Sequence, residues 1–241
     1  MSVVTTLDGR TIEPPANTPY HVDALALDAV RSLRPRRVLD VGCASGRFAA
    51  KMPGVDVVGI ELDDRLAALA EQHCSRVISG SVEEAAVVEE ARSTGAFDVV
   101  LTLDVLEHLV NPVIALERLK TLLDPSGRIV ISLPNLLYYR ERLNLLRGRF
   151  VTSPIGGLYD ETHLHFYSKS EVLKLLHRSG LVVETFLGAG RIRPERRIAS
   201  LAAPARRIYG IAPWTVSRLA RRRPELFARS FVVVARPSAQ R

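Results

Sequence analysis

Residues 38–48 read Val-Leu-Asp-Val-Gly-Cys-Ala-Ser-Gly-Arg-Phe, an apolar run that breaks into small residues and resumes as helix-compatible sequence. The pattern dictates a buried strand, a tight turn and a returning helix. Gly42 and Gly46 permit torsions and close approaches that a side chain forbids, and Ala44 and Ser45 keep the turn narrow enough for a ligand to lie against its main chain. A second apolar run, Val57-Val58-Gly59-Ile60-Glu61, closes on a carboxylate. It lies about twenty residues on, the spacing at which dinucleotide-type folds set an acid on ribose hydroxyls. A glycine-rich turn alone says little, because tight turns need glycine with or without a ligand. Ala44 also stands where a nicotinamide fingerprint has its second glycine, which argues against a dehydrogenase.

Strand and helix patterns then alternate along the chain. Helices are expected from Tyr20-His21 to Pro35, from Arg47 to Met52, over 63–74, 82–92, 112–123 and 136–149, and over 169–178. The helix at 169–178 carries a capping box, Ser168 with Glu171, and ends at Gly180. Strands are expected at 38–41, 57–61, 76–81, 97–103, 127–133, 181–187 and 230–235. The 97–103 run is nearly all apolar, as suits a strand buried on both faces. This alternation predicts an α/β fold with a doubly wound, mostly parallel sheet, whose ligand crevice lies beyond the carboxyl ends of the strands. Gly42, Glu61, Ser81, Asp104 and Asn135 all fall at such ends.

Asp40 to Gly46, Glu61, and the run Phe97 to Leu109 (FDVVLTLDVLEHL) together resemble the class I S-adenosylmethionine-dependent methyltransferases. The resemblance is closest to the small-molecule branch that includes ubiquinone-pathway O-methyltransferases and MetW. It spans residues 20–185 and resumes at the last strand. It implies a seven-stranded Rossmann-like methyltransferase sheet closed by an antiparallel strand at 230–235, with S-adenosylmethionine as cofactor. The implied cofactor residues are Asp40, Gly42, Ala44, Gly46, Glu61, Leu62, Ser81 and Asp104. In such enzymes the turn amides and the helix begun at Arg47 meet the methionine carboxylate and the ribose. Relatives usually carry aspartate at the position of Ser81, to accept from the adenine amino group; serine accepts more weakly. Tyr20 either closes over the cofactor, as an aromatic does in relatives, or packs at a helix start.

Composition narrows the setting. With 241 residues, 47% of them hydrophobic, the chain is expected to form a single methyltransferase domain, residues 1–241. Within it, an N-terminal arm (1–19), an acceptor-side cover (136–167) and a basic helical insert (189–228) are expected. Two cysteines, Cys43 and Cys74, offer no disulfide framework and suit a reducing cytoplasm. No apolar run approaches the ~20 residues that span a bilayer. The net charge is +7, yet residues 191–223 alone hold ten arginines against one acid, Glu195. That segment reads as a charged lid, a nucleic-acid patch, or a surface for anionic lipid or a phosphorylated acceptor. Its stacking aromatics are only Tyr209 and Trp214, which disfavours nucleic acid. Apolar residues interleaved with arginine fit an interfacial helix, hence peripheral contact with the inner membrane face.

Methyl transfer from a sulfonium asks the protein to hold the cofactor, align the acceptor and take its proton. Two histidine groups compete for the last task. Asp104, Glu107 and His108 share one helical face by spacing and could bind a divalent metal, as similar residues do in some relatives, or simply start a helix; no metal requirement is expected. His163 and His165, if locally extended, point the same way, and Asp160 could hold one imidazole in the tautomer of a base. The reading is O-methylation of a small molecule or of a glycan or lipid precursor. The alternative is a cofactor-binding module that acts as a partner without transfer.

Overall fold

The computed structural model describes residues 4–5, 11–12, 22–150, 152, 157–190 and 219–238. Seven strands form the main sheet: β1 (Arg37–Val41), β2 (Asp56–Glu61), β3 (Arg76–Ser79), β4 (Phe97–Leu103), β5 (Leu123–Pro134), β6 (Leu181–Ala189) and β7 (Ser230–Pro237). Their spatial order is β3-β2-β1-β4-β5-β7-β6. The pairs from β3 through β5 are parallel, and β7 runs antiparallel to both β5 and β6. The order reverses between β1 and β4, where a doubly wound sheet opens its ligand crevice. A separate antiparallel pair joins Val4–Thr5 to Thr11–Ile12.

Both faces of the sheet are covered, and the strand residues alternate between them. Val38, Val57, Val99, Leu101, Val130, Val232 and Val234 share one apolar cluster with Ala26 and Val30 of helix α1 (Val22–Leu33). Leu39, Val58, Ile60, Val100, Ile129, Ile131 and Val233 face the other, with helices α3 (Ala85–Ser93), α4 (Pro112–Lys120) and α6 (Lys169–Arg178). Between α1 and α3, α2 (Asp64–Ala70) starts at Asp63, whose carboxylate accepts from the amides of Arg65 and Leu66. That cap holds the chain just after Glu61. The serine half of the expected capping box opens α6: the Ser168 hydroxyl accepts from the Glu171 amide at 3.3 Å, while the Glu171 carboxylate accepts from Lys174 at 2.7 Å.

Several elements are shorter than expected. The helix from Arg47 to Met52 is a single 3-10 turn, Ala49–Lys51, because Pro53 and the left-handed Gly54 divert the chain at once. The α-helix expected to begin at Arg47 is therefore absent. The 63–74 and 136–149 helices shrink to α2 and to α5 (Tyr139–Leu146). Asn135 does end β5, but its side chain is spent on structure. Buried completely, it donates to the Ala228 carbonyl at 2.8 Å and accepts from the Leu137 amide at 3.0 Å. A short helix α7 (Pro224–Phe227) precedes β7. Residues 191–218 of the expected basic insert, and Tyr20, lie outside the described residues. Among the described residues no helix is long and apolar enough to cross a membrane.

Candidate active site

β1 delivers Asp40 into the turn 42–46, which is stitched to β2 by the amides of Gly42 and Cys43, both donating to the Ile60 carbonyl at 2.8 and 3.1 Å. Gly42 has φ +70°, and a Cβ there would sit 2.7 Å from Cγ2 of Val105. Its bare α-carbon lets the turn after β4 press directly on the turn after β1. Ala44 is also left-handed, at φ 48°. The strain, about 1–2 kcal/mol for a residue with Cβ, is opposed by Glu61, whose Oε2 accepts from the Ala44 amide at 2.8 Å. Glu61 Oε1 accepts from the Asp63 amide at 3.0 Å. Each oxygen keeps a second lone pair, so the same carboxylate shapes the turn and can accept ribose hydroxyls.

Asp40 is 3% exposed and its Oδ2 has no hydrogen-bond partner. Burial first, then the charge of Glu61, push its carboxyl up to about 7. An orphaned buried acceptor beside a turn open at its main chain calls for a ligand bearing N–H or O–H donors, which S-adenosylmethionine supplies through its ammonium and ribose. Leu62, next to Glu61, is 71% exposed and offers an apolar face. The Ser81 hydroxyl oxygen already accepts from the Glu83 amide at 3.2 Å, so it caps its own turn and keeps one lone pair free. The site residues of the first two strand ends, including Gly46 at φ +73°, thus lie around one cradle.

The Asp104–His108 segment departs from expectation. It is a turn, with Asp104 at φ 55°, and no helical face gathers the three residues. Asp104 accepts from the Ser132 hydroxyl at 2.6 Å, which ties it to β5. Leu106 and Leu109 bury themselves in the core and fix the turn. Glu107, only 1% exposed, takes the metal-capable position without Asp104. Its main-chain carbonyl accepts from the amides of Leu164 and His165 at 2.8 and 3.1 Å, which staples the loop 158–167 onto the turn.

The staple delivers His163 to His108. Their rings meet edge to face, centroids 4.6 Å apart and planes at 73°. Ligand-capable atoms of Glu107, His108 and His163 all lie within 4.8 Å of one another. The Glu107 Oε2 atom is buried without a partner, and burial, reinforced by the charges of Asp104 and Asp160, holds its carboxyl well above the usual range. Desolvation, then the neighbouring His163, hold His108 below the usual histidine range. The His165 ring lies 6.1 Å from Tyr167, and its Nε2 is buried without a partner. Asp160 Oδ1 is linked to His108 through Thr162. That atom accepts from the Thr162 amide and hydroxyl at 2.9 and 2.6 Å, and the Thr162 hydroxyl stands 3.0 Å from His108 Nδ1. Thr162 escaped the sequence reading because a threonine gives no signal until the loop is folded against His108.

Around these imidazoles runs an aromatic wall, His163 to Phe166 to Tyr159 to Phe150, with successive centroids 6.4, 6.2 and 4.6 Å apart. The Tyr159 and Tyr167 hydroxyls are buried without partners. Buried polar atoms without partners are uncommon in native folds and mark this region for a role beyond packing.

Residues 20–185 match the family model described as Methyltransferase domain. The ubiquinone biosynthesis O-methyltransferase of Chromobacterium violaceum is 29% identical over 189 residues, 76% of this chain and 81% of that protein. Its counterpart in Paraburkholderia phymatum is 29% identical over 167 residues, 67% and 71% of the two chains. Among solved structures, the CcbJ methyltransferase of Streptomyces caelestis superposes with a TM-score of 0.61 at 15% identity, covering 94% of each chain. The magnesium protoporphyrin IX methyltransferase of Synechocystis, with bound SAH, gives 0.55 at 17% identity, covering 90% of this chain and 82% of that one. At such identities the likeness is one of fold.

Proposed function

This chain belongs to the family of S-adenosylmethionine-dependent methyltransferases, and on that premise we propose that it methylates a hydroxyl oxygen of a small aromatic acceptor seated against His108 and His163. The observation that carries the reading is the pair of imidazoles beside Glu107, joined to the cofactor cradle through the contact of Val105 with Gly42. S-adenosylmethionine supplies an electrophilic methyl on a sulfonium. Asp40, Glu61 and the 42–46 main chain bind it, with Leu62 and Ser81 on the adenine side. The aromatic wall from His163 to Phe150 favours a flat acceptor. Methyl transfer to the acceptor oxygen would require its hydroxyl proton to leave, and an imidazole nitrogen of His108 or His163 would take it. The curated relatives' name, ubiquinone biosynthesis O-methyltransferase, supports oxygen as the target atom.

A second reading of the same cluster is favoured by its donor set. Two imidazoles and one buried carboxylate suit a divalent cation that would lower the acceptor hydroxyl's pKa. Chelator treatment separates the two: an imidazole base alone leaves transfer unchanged, whereas a cation site loses transfer on chelation and regains it with magnesium or zinc. The function itself is tested with methyl-labelled S-adenosylmethionine and a panel of phenols and catechols including 3,4-dihydroxybenzoate. Label appearing as a methyl ether supports the proposal. Saturable cofactor binding with no transfer to any phenol or catechol would overturn it, in favour of a binding module without transfer.

A further inference from the structure

The hydrogen bonds around His108 fix more than its position. Its Nδ1 has two neighbours, the Thr162 hydroxyl oxygen at 3.0 Å and the Thr162 carbonyl oxygen at 3.3 Å. A carbonyl can only accept. The hydroxyl has a single proton, and it is donated to Asp160 Oδ1, 2.6 Å away. Both atoms facing Nδ1 are therefore acceptors, and Nδ1 must carry the imidazole proton. A second bond from the Thr162 amide to the same Asp160 oxygen, at 2.9 Å, keeps the residue from rotating out of this arrangement. Asp160, Thr162 and His108 thus form a relay that spans the loop and the turn.

We propose that Thr162 and Asp160 are positioning residues for His108: together they hold it in the Nδ1–H tautomer and so leave Nε2 as its basic atom. The inference rests on the reading that His108 serves the acceptor site, and it deepens that reading. A base and a metal ligand both need a bare ring nitrogen, so the relay serves either chemistry. His163 is set the same way by a different device, its Nδ1 lying 2.9 Å from the Leu158 carbonyl, which also can only accept. Two imidazoles with the same nitrogen left bare form a pre-set arrangement: a free histidine side chain in water favours the opposite tautomer.

Long-range nitrogen–proton correlation NMR on histidine-labelled full-length protein at neutral pH reads the tautomer directly, without acceptor, cofactor or metal. Wild-type His108, assigned by comparison with His108→Gln, is expected as Nδ1–H. Thr162→Val removes the hydroxyl at constant shape and leaves the carbonyl at 3.3 Å as the remaining acceptor at Nδ1, so a measurable fraction of His108 is expected to move to Nε2–H. Asp160→Asn should move it in the same direction, and Thr162→Ser should restore the wild-type spectrum. The His163 tautomer, read in the same spectra and set within the same loop by the Leu158 carbonyl, should stay at the wild-type state in all three, which distinguishes a lost tautomer from a collapsed loop. The proposal is overturned if wild-type His108 is Nε2–H, or if Thr162→Val leaves its tautomer unmoved. Because methyl transfer is not part of the measurement, failure of the relay and failure of the proposed reaction are told apart.

Discussion

The turn after β1 and the turn after β4 touch, yet they are built on opposite principles. The first works through main chain: left-handed Gly42, Ala44 and Gly46, amides stitched to Ile60 and Glu61, and one orphaned carboxylate at Asp40. The second works through side chains, and half of them come from a loop 54 residues further along the chain. A site made of backbone torsions fails when a torsion or its carboxylate prop is lost, and the loss is one of binding. A site made of borrowed side chains fails one group at a time, and the loss is one of rate.

The largest effect should come from the second region. His108→Ala and His163→Ala are expected to lower methyl transfer on the order of 10²–10⁴-fold, the worth of a positioned acid–base group, while cofactor affinity stays at the wild-type level. Steady-state rates beside calorimetry check this; equal loss of affinity would merge the two regions into one.

Next comes Asp40. Its folded-state carboxyl sits at about 7, above the ordinary 3.8. A raised acid contributes its stability below the ordinary value and loses it as pH rises through the folded one. The ligand-free protein should therefore become less stable between pH 4 and pH 8, by up to roughly 4 kcal/mol from this group. Asp40→Asn should flatten that slope in urea unfolding while weakening cofactor binding. An unchanged slope would show that Asp40 is not the orphaned acid it is taken for.

A smaller effect probes the contact between the regions. Gly42→Ala should cost about 1–3 kcal/mol from its left-handed torsion and from the collision with Val105. Adding Val105→Ala should recover the steric share and leave the torsional one. Recovery of nothing would mean that the two turns are not mechanically joined.

The same contrast explains what could be read from the chain. β4 (Phe97–Leu103) and α6 (Lys169–Arg178) match the expected boundaries because their signals are local: an apolar run in one case, Ser168 with Glu171 in the other. The cradle was legible for the same reason, since strand, turn and carboxylate follow one another within a short stretch. Residues 47–52 misled because helix-compatible side chains say nothing of Pro53 and Gly54 cutting the turn short. Asp104, Glu107 and His108 misled through their helical spacing. The turn instead trades Asp104 to Ser132 and gains His163, by way of the Glu107 carbonyl. Such pairings between distant segments leave no period in a sequence, and neither does the role of Thr162.

Calorimetric titration with S-adenosylhomocysteine, run on wild type, Glu61→Ala, Asp63→Ala and His163→Ala, tests the division of labour most directly. Glu61→Ala should weaken binding by about 1.5–3 kcal/mol, the worth of hydrogen bonds to a charged acceptor. Asp63→Ala should cost about 1 kcal/mol of stability through its lost helix cap and leave affinity near wild type, as should His163→Ala. Wild-type affinity in Glu61→Ala, or a loss in His163→Ala as large as in Glu61→Ala, would contradict a cofactor held by the turn after β1 and a reaction conducted by the turn after β4.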